Sequence, residues 1–169
     1  LLKSPGGARD RQVLHGEGVL VIDRQDGWAF VQAAKDGYCG YLPESALGAP
    51  EAATHWVATP ATHLYEGPKV QQREVMALPM GARLRVTGQT GVWAETPGGF
   101  VPAMHLLSLG QHHADPAEVA QQFLHVPYLW GGNSAAGLDC SGLAQIAFAA
   151  CGISLPADSD LQASCGRPL

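Results

Sequence analysis

Apolar and polar residues alternate over short runs along residues 1–110, and glycines such as Gly16, Gly40, Gly81 and Gly99 punctuate them. A period of two is the mark of half-buried strands. The pattern also repeats. With residues 13–47 laid over residues 78–106 at an offset of 65, Gly16 meets Gly81, Val19 meets Leu84, Val21 meets Val86, and Trp28-Ala29 meets Trp93-Ala94. After a gap the offset becomes 59, where Gly40-Tyr41-Leu42-Pro43 meets Gly99-Phe100-Val101-Pro102 and Leu47 meets Leu106. Two copies of a small all-β unit are therefore expected, each too small to be an enzyme by itself. A leading strand is readable in the second copy at Thr62-His63-Leu64-Tyr65. Its counterpart in the first copy would end at position zero, so that copy is expected to lack it.

Residues 48–61, with Gly48, Pro50, several Ala and Thr59-Pro60, read as the connector between the copies. The period changes at Asp115-Pro116, where a good N-cap precedes a proline at the first helical position. Val119, Ala120, Phe123 and Leu124 follow at helical spacing and predict a buried stripe that stops before Pro127. Pro127-Tyr128-Leu129-Trp130 predicts a short strand running into the Gly131-Gly132 loop. A second helix is expected from Cys140, with Leu143, Ile146, Ala147 and Ala150 on its apolar face and Gly152 as its stop. Domains are accordingly expected at 1–49, 50–110 and 111–169.

Composition narrows the function. The chain has 169 residues, 46% of them hydrophobic and 15% charged, enough apolar material to exclude wholesale disorder. No apolar run approaches the roughly 18 residues of a membrane span. The net charge is −5, and residues 111–169 hold most of it, with Asp115, Glu118, Asp139, Asp158 and Asp160 against Arg167 alone. Without clustered basic residues, nucleic acid is not an expected partner. Four cysteines are too few for a disulfide scaffold and show no C-x-x-C zinc spacing. His112-His113 falls in a polar connector, where a solvated, inert pair is expected rather than a metal site.

Cys140 stands apart from the other cysteines. Asp139 and Ser141 flank it, a Gly-Gly loop precedes it, and it opens the expected second helix. The unpaired amides and positive end of a helix favour a thiolate, the form that attacks carbonyls. A buried filler, the usual fate of a free cysteine, needs none of this company. Cys151 and Cys165 fit the filler reading.

The Gly-Trp and Gly-aromatic-aliphatic-Pro pattern of residues 1–110 resembles bacterial SH3-like domains. Pro127-Tyr128-x-Trp130-Gly131-Gly132, then Asp139-Cys140-Ser141-Gly142-Leu143, then Gly152-x-x-Leu155-Pro156-x-x-Ser159-x-x-Gln162 resembles the NlpC family of papain-like cell-wall cysteine peptidases. With tandem SH3-like units ahead, the chain is similar to the γ-D-glutamyl-diamino acid endopeptidases. The resemblance implies an α+β multidomain fold, two small all-β barrels followed by the helical N-terminal part of a papain-like catalytic domain. It implies hydrolysis of the γ-D-glutamyl-diamino acid bond of peptidoglycan stem peptides carrying a free N-terminal L-Ala, with no cofactor and no metal.

Transferred to this sequence, the resemblance makes Cys140 the nucleophile, and Tyr128 with the Cys140 backbone N–H the oxyanion donors. Asp139 and Ser141 would grip the substrate ammonium, Ser159 would touch substrate, and a tyrosine of the first unit, here Tyr41, would wall off the substrate's N-terminus. Two departures stand out. Ala157 replaces a usual Arg, and all seven histidines precede Cys140, whereas the family base lies downstream. Catalytic partners need only be close in space, which leaves His105 and His125 open. A base contributes typically ~10²–10⁴-fold, so this chain alone is expected to be nearly inactive. The rival reading is a non-catalytic module whose SH3-like units hold wall peptides beside a dead peptidase remnant. A metal hydrolase rests only on the His112-His113 pair. Four cysteines and no visible signal peptide fit recycling of wall fragments in the cytoplasm, with a periplasmic or secreted protein as the alternative.

Overall fold

The computed structural model describes residues 1–167. In the first unit, β1 (Val19–Gln25), β2 (Trp28–Ala33) and β3 (Cys39–Pro43) form an antiparallel sheet in that order. Gln25 pairs with Trp28 across a two-residue turn of Asp26 and Gly27, at φ +51° and +80°. Positive φ at both positions is what a type I′ hairpin demands, and Asp-Gly supplies it. Leu1, Ala29 and Val31 make the buried centre of this unit.

The second unit contains β4 (His55–Val57), β5 (Ala61–Tyr65), β6 (Glu74–Pro79), β7 (Arg83–Leu84), β8 (Gly88–Thr90), β9 (Trp93–Thr96), β10 (Gly99–Pro102) and β11 (Leu106–Ser108). They lie in two sheets, β6-β5-β10-β9-β8 and β11-β4-β7. Val57, Leu64, Leu78, Ala82, Leu84 and Val101 fill its core. Strand β4 falls inside the segment expected as a bare connector. Its three residues are too few for a visible period, yet Trp56 and Val57 are both buried.

The repeat extends to strand register. Trp28 pairs with Pro43 and Ala29 with Leu42, as Trp93 pairs with Pro102 and Ala94 with Val101. A 3-10 turn follows each proline, at Glu44–Ala46 and Ala103–His105. In the first unit Leu2 bridges both Arg9 and Tyr41, and with Tyr41 it exchanges backbone hydrogen bonds of 2.7 and 2.9 Å. Phe100, the counterpart of Tyr41, pairs likewise with Tyr65. The close approach explains the shared glycine: a Cβ on Gly40 would lie 2.8 Å from that of Leu1, and one on Gly99 would overlap the Tyr65 carbonyl.

The third segment has α1 (Pro116–Gln121), β12 (Asn133–Ser134), β13 (Gly137–Leu138), α2 (Cys140–Ala150) and α3 (Ser159–Ala163). Asp115 caps α1 through the Ala117 N–H at 2.7 Å, with Pro116 in its first turn. The helix is shorter than its apolar stripe. Val119 and Phe123 are buried, but Leu124 is 68% exposed because the chain has left the helix by then. The expected strand at 127–130 reduces to one parallel bridge between Tyr128 and Leu138, since the chain turns at Gly131, φ +67°.

Fifty-nine residues with little sheet make a marginal independent core. Here the core is shared. Val119, Phe123, Leu138, Ile146, Ala147 and Ala150 pack with Trp56, Ala58 and Met80 of the second unit. His113, expected as solvated, joins that seam. Its Nε2 lies 2.9 Å from the Ala58 carbonyl and its ring stands edge-on to Trp56 at 5.9 Å. Among the described residues no helix is long and apolar enough to cross a membrane.

Candidate active site

Cys140 is the first residue of α2, and its side chain is exposed. The position follows from Asp139. One carboxylate oxygen accepts the Gly142 N–H at 2.7 Å and the Ser141 hydroxyl at 3.2 Å, while the other accepts the Gly131 N–H at 2.8 Å. The N-cap thus holds the helix start and the glycine loop together, which presents the sulfur at the positive end of an 11-residue helix. Ser141 is buried, at 6% exposure, with its hydroxyl on Asp139.

Tyr128 is 65% exposed, and its backbone lies beside Leu138, two residues before the nucleophile candidate. Ser159 opens α3 and is exposed. Gln162, one turn along α3, ties this helix to the start of α2 by donating to the carbonyls of Ser141 at 3.0 Å and Pro156 at 2.8 Å. Cys140, Tyr128, Asp139, Ser141 and Ser159 are therefore gathered by one helix start, one loop and one short helix packed against it.

Tyr41 is not drawn into this group by any contact. Its ring tilts against Phe30 at 4.9 Å on the first unit's own sheet. Another tyrosine, missed in the sequence, reaches across. The Tyr38 hydroxyl donates to Asp10 at 2.9 Å, and the Asp10 backbone carbonyl lies so close to Gly131 that a Cβ there would sit 2.6 Å from its oxygen. Burial, then the hydrogen bond to Asp10, then the charges of Asp10 and Asp158, push the Tyr38 hydroxyl up to about 12, against the opposing charge of Arg11. Two tyrosines three residues apart offer no local clue to which one faces the third segment.

This shift has a measurable consequence. A group raised above its unfolded value of about 10 contributes stability that is complete below that pH and is lost as pH rises through the folded value. An absorbance titration should show a tyrosinate component near pH 12, and Tyr38→Phe should remove it. Persistence of that component in the variant would contradict the assignment.

The histidines lie elsewhere. His105 Nδ1 is 2.7 Å from the Thr62 hydroxyl in the second unit, and His125 is exposed with φ +69°. Among the described residues no histidine ring hydrogen-bonds to Cys140. A cavity of about 370 Å³ opens where the three parts meet, between Lys35, Arg83 and Ile146, but Cys140 is not on its wall.

Two family models match this chain. Residues 1–47 match the family model described as the bacterial dipeptidyl-peptidase SH3 domain, and residues 125–168 match the NlpC/P60 family. Residues 1–47 are thus similar to an SH3 domain of that kind and residues 125–168 to the NlpC/P60 family.

Among the relatives, the chain is similar to a γ-D-glutamyl-L-lysine dipeptidyl-peptidase of Bacillus subtilis, 32% identical over 92% of this chain and 58% of that protein. A protein of the same name from Bacillus cereus is 25% identical over 93% of this chain and 55% of its own length. The crystal structure of an NlpC/P60 family protein from Bacillus cereus shares the fold, with a TM-score of 0.81 and 24% identity over 95% of this chain and 61% of that one. The chain thus spans a little more than half the length of these relatives.

Proposed function

We propose that these residues belong to a cysteine peptidase that hydrolyses the γ-D-glutamyl-diamino acid bond of peptidoglycan stem peptides. In this reading the two β units are small SH3-like barrels and residues 111–169 are the helical part of a papain-like domain. The observation that carries the proposal is the exposed Cys140 thiol at the first residue of α2, fixed there by the Asp139 cap. Its sulfur attacks the γ-carbonyl of D-Glu, and the carbonyl oxygen gains the charge. The Tyr128 hydroxyl and the Cys140 N–H stabilise that oxyanion, a type of donor worth about 10²–10³ in rate. The C–N bond breaks as its nitrogen takes up the proton that the thiol gave up, the diamino acid leaves as the amine, and water then cleaves the thioester to free the γ-carboxylate and the Cys140 thiol.

Asp139, with Ser141 behind it and Ser159 nearby, supplies acceptors for the free ammonium of L-Ala, a charge-assisted contact of the stronger kind. Of the two tyrosines in the first unit, Tyr38 donates to Asp10, whose backbone abuts the Gly131 loop, and we assign it the wall at the substrate's N-terminus.

Alkylation tests this reading. At neutral pH, iodoacetamide should label Cys140 at least about tenfold faster than the exposed Cys39 and Cys165, which lack its place at the start of a long helix. Cys151 should be slow, because burial and then the charge of Asp115 push its thiol up. L-Ala-γ-D-Glu-diaminopimelate should protect Cys140, and the N-acetylated peptide should not. Equal labelling of the three exposed thiols, without protection, would overturn the assignment.

A further inference from the structure

The segment 155–158 leads into Ser159 and α3, and its carbonyls are held by side chains from three different parts of the chain. Gln145 of α2 donates to the Leu155 carbonyl at 3.1 Å, and Gln162 of α3 donates to that of Pro156 at 2.8 Å. The third donor comes from the first unit: Arg11 Nη1 reaches the Ala157 carbonyl at 3.0 Å. Arg11 is 3% exposed. Its other terminal nitrogen donates to the Gln145 side chain, and its Nε lies 3.7 Å from the Asp36 carboxylate. Gln145 closes the ring by donating to the same Asp36 oxygen at 3.1 Å.

A buried guanidinium and carboxylate cost several kcal/mol to desolvate, and the pair seldom repays this as net stability. Its return here is geometric. An Arg fork fixes direction as well as distance, and this one aims at two elements of the site at once. One is α2, five residues from Cys140; the other is the strand of backbone that ends in Asp158 and Ser159.

We infer that Arg11 is a positioning residue, and that with Asp36 and Gln145 it clasps the first unit to the substrate-binding wall, setting where Ser159 stands relative to Cys140. The catalytic consequence rests on the proposed peptidase reading; the positioning itself does not. The first unit is then part of the binding site's framework rather than a tether.

The test replaces the ion pair without stranding a charge, using Arg11→Met/Asp36→Asn in the full polypeptide that carries these residues. Hydrogen exchange of amides 158–163 should quicken by roughly tenfold or more, while β1–β3 keep their protection. KM for the stem peptide should rise by about tenfold, with kcat within about threefold, the signature of lost binding geometry. Gln145→Met, which leaves the Arg11–Asp36 pair intact, should produce the same changes and decides the matter if the double variant does not fold. Unchanged exchange and KM in a folded variant would overturn the inference. If the wild-type protein hydrolyses nothing, the peptidase reading fails, and the exchange result alone judges the clasp.

Discussion

Gly142→Ala is expected to destabilise the protein by about 1–3 kcal/mol, the usual penalty for inserting a group into a filled site. Gly142 stands in the first turn of α2, and a Cβ there would overlap the Gly132 carbonyl oxygen and lie 2.9 Å from Asp139 Oδ1. Neither neighbour can yield cheaply. The Gly132 carbonyl already accepts the Asp139 N–H at 3.1 Å, its N–H donates to Leu129 at 2.8 Å, and Asp139 is the cap itself. The helix start must therefore back away from the glycine loop, carrying Cys140 with it relative to Tyr128. A displacement near 1 Å can cost about 10² in rate, so activity should fall further than stability alone would dictate. Denaturant unfolding and a turnover assay check the two effects. Gly48→Ala is the control: a Cβ there meets nothing within 4 Å, and its effect should stay within about 0.5 kcal/mol.

The β units were legible because their repeat carries chemistry as well as hydropathy. Trp28 and Trp93 each pair with a proline that ends a strand, and Gly40 and Gly99 each admit a crossing chain, so the matched residues are those the register constrains. Strand β4 is not legible because three residues show no period, and the burial of Trp56 depends on α1 and α2 more than 50 residues away, while Val57 packs into the core of its own unit. Leu124 was misread for the opposite reason. Its spacing continues the apolar stripe, but Gln122 already caps the helix.

At the site, Asp139-Cys140-Ser141-Gly142 was readable because cap, cysteine and glycine are neighbours in sequence and the cap's bonds to Ser141 and Gly142 span two and three residues, whereas the packing of Gly142 against the Gly132 carbonyl is not local. Tyr38 and Arg11 were not readable. Arg11 meets its partners Gln145 and Ala157 at sequence separations of 134 and 146, and no local periodicity encodes such pairs.

The central claim is that Cys140 is the nucleophile of a γ-D-glutamyl peptidase, and turnover tests it most directly. Cys140 is exposed, and among the described residues its side chain has no hydrogen-bond partner, so Cys140→Ser should fold as the wild type does. A serine hydroxyl in that place stays protonated, and the helix dipole cannot make it the equivalent of a thiolate. The measurement is release of free diaminopimelate from L-Ala-γ-D-Glu-diaminopimelate by the full polypeptide and by its Cys140→Ser variant. The expected result is hydrolysis by the first and a loss of at least about 10³-fold in the second. Equal rates for the two proteins, or a wild type that binds the peptide and leaves it whole, would contradict the account.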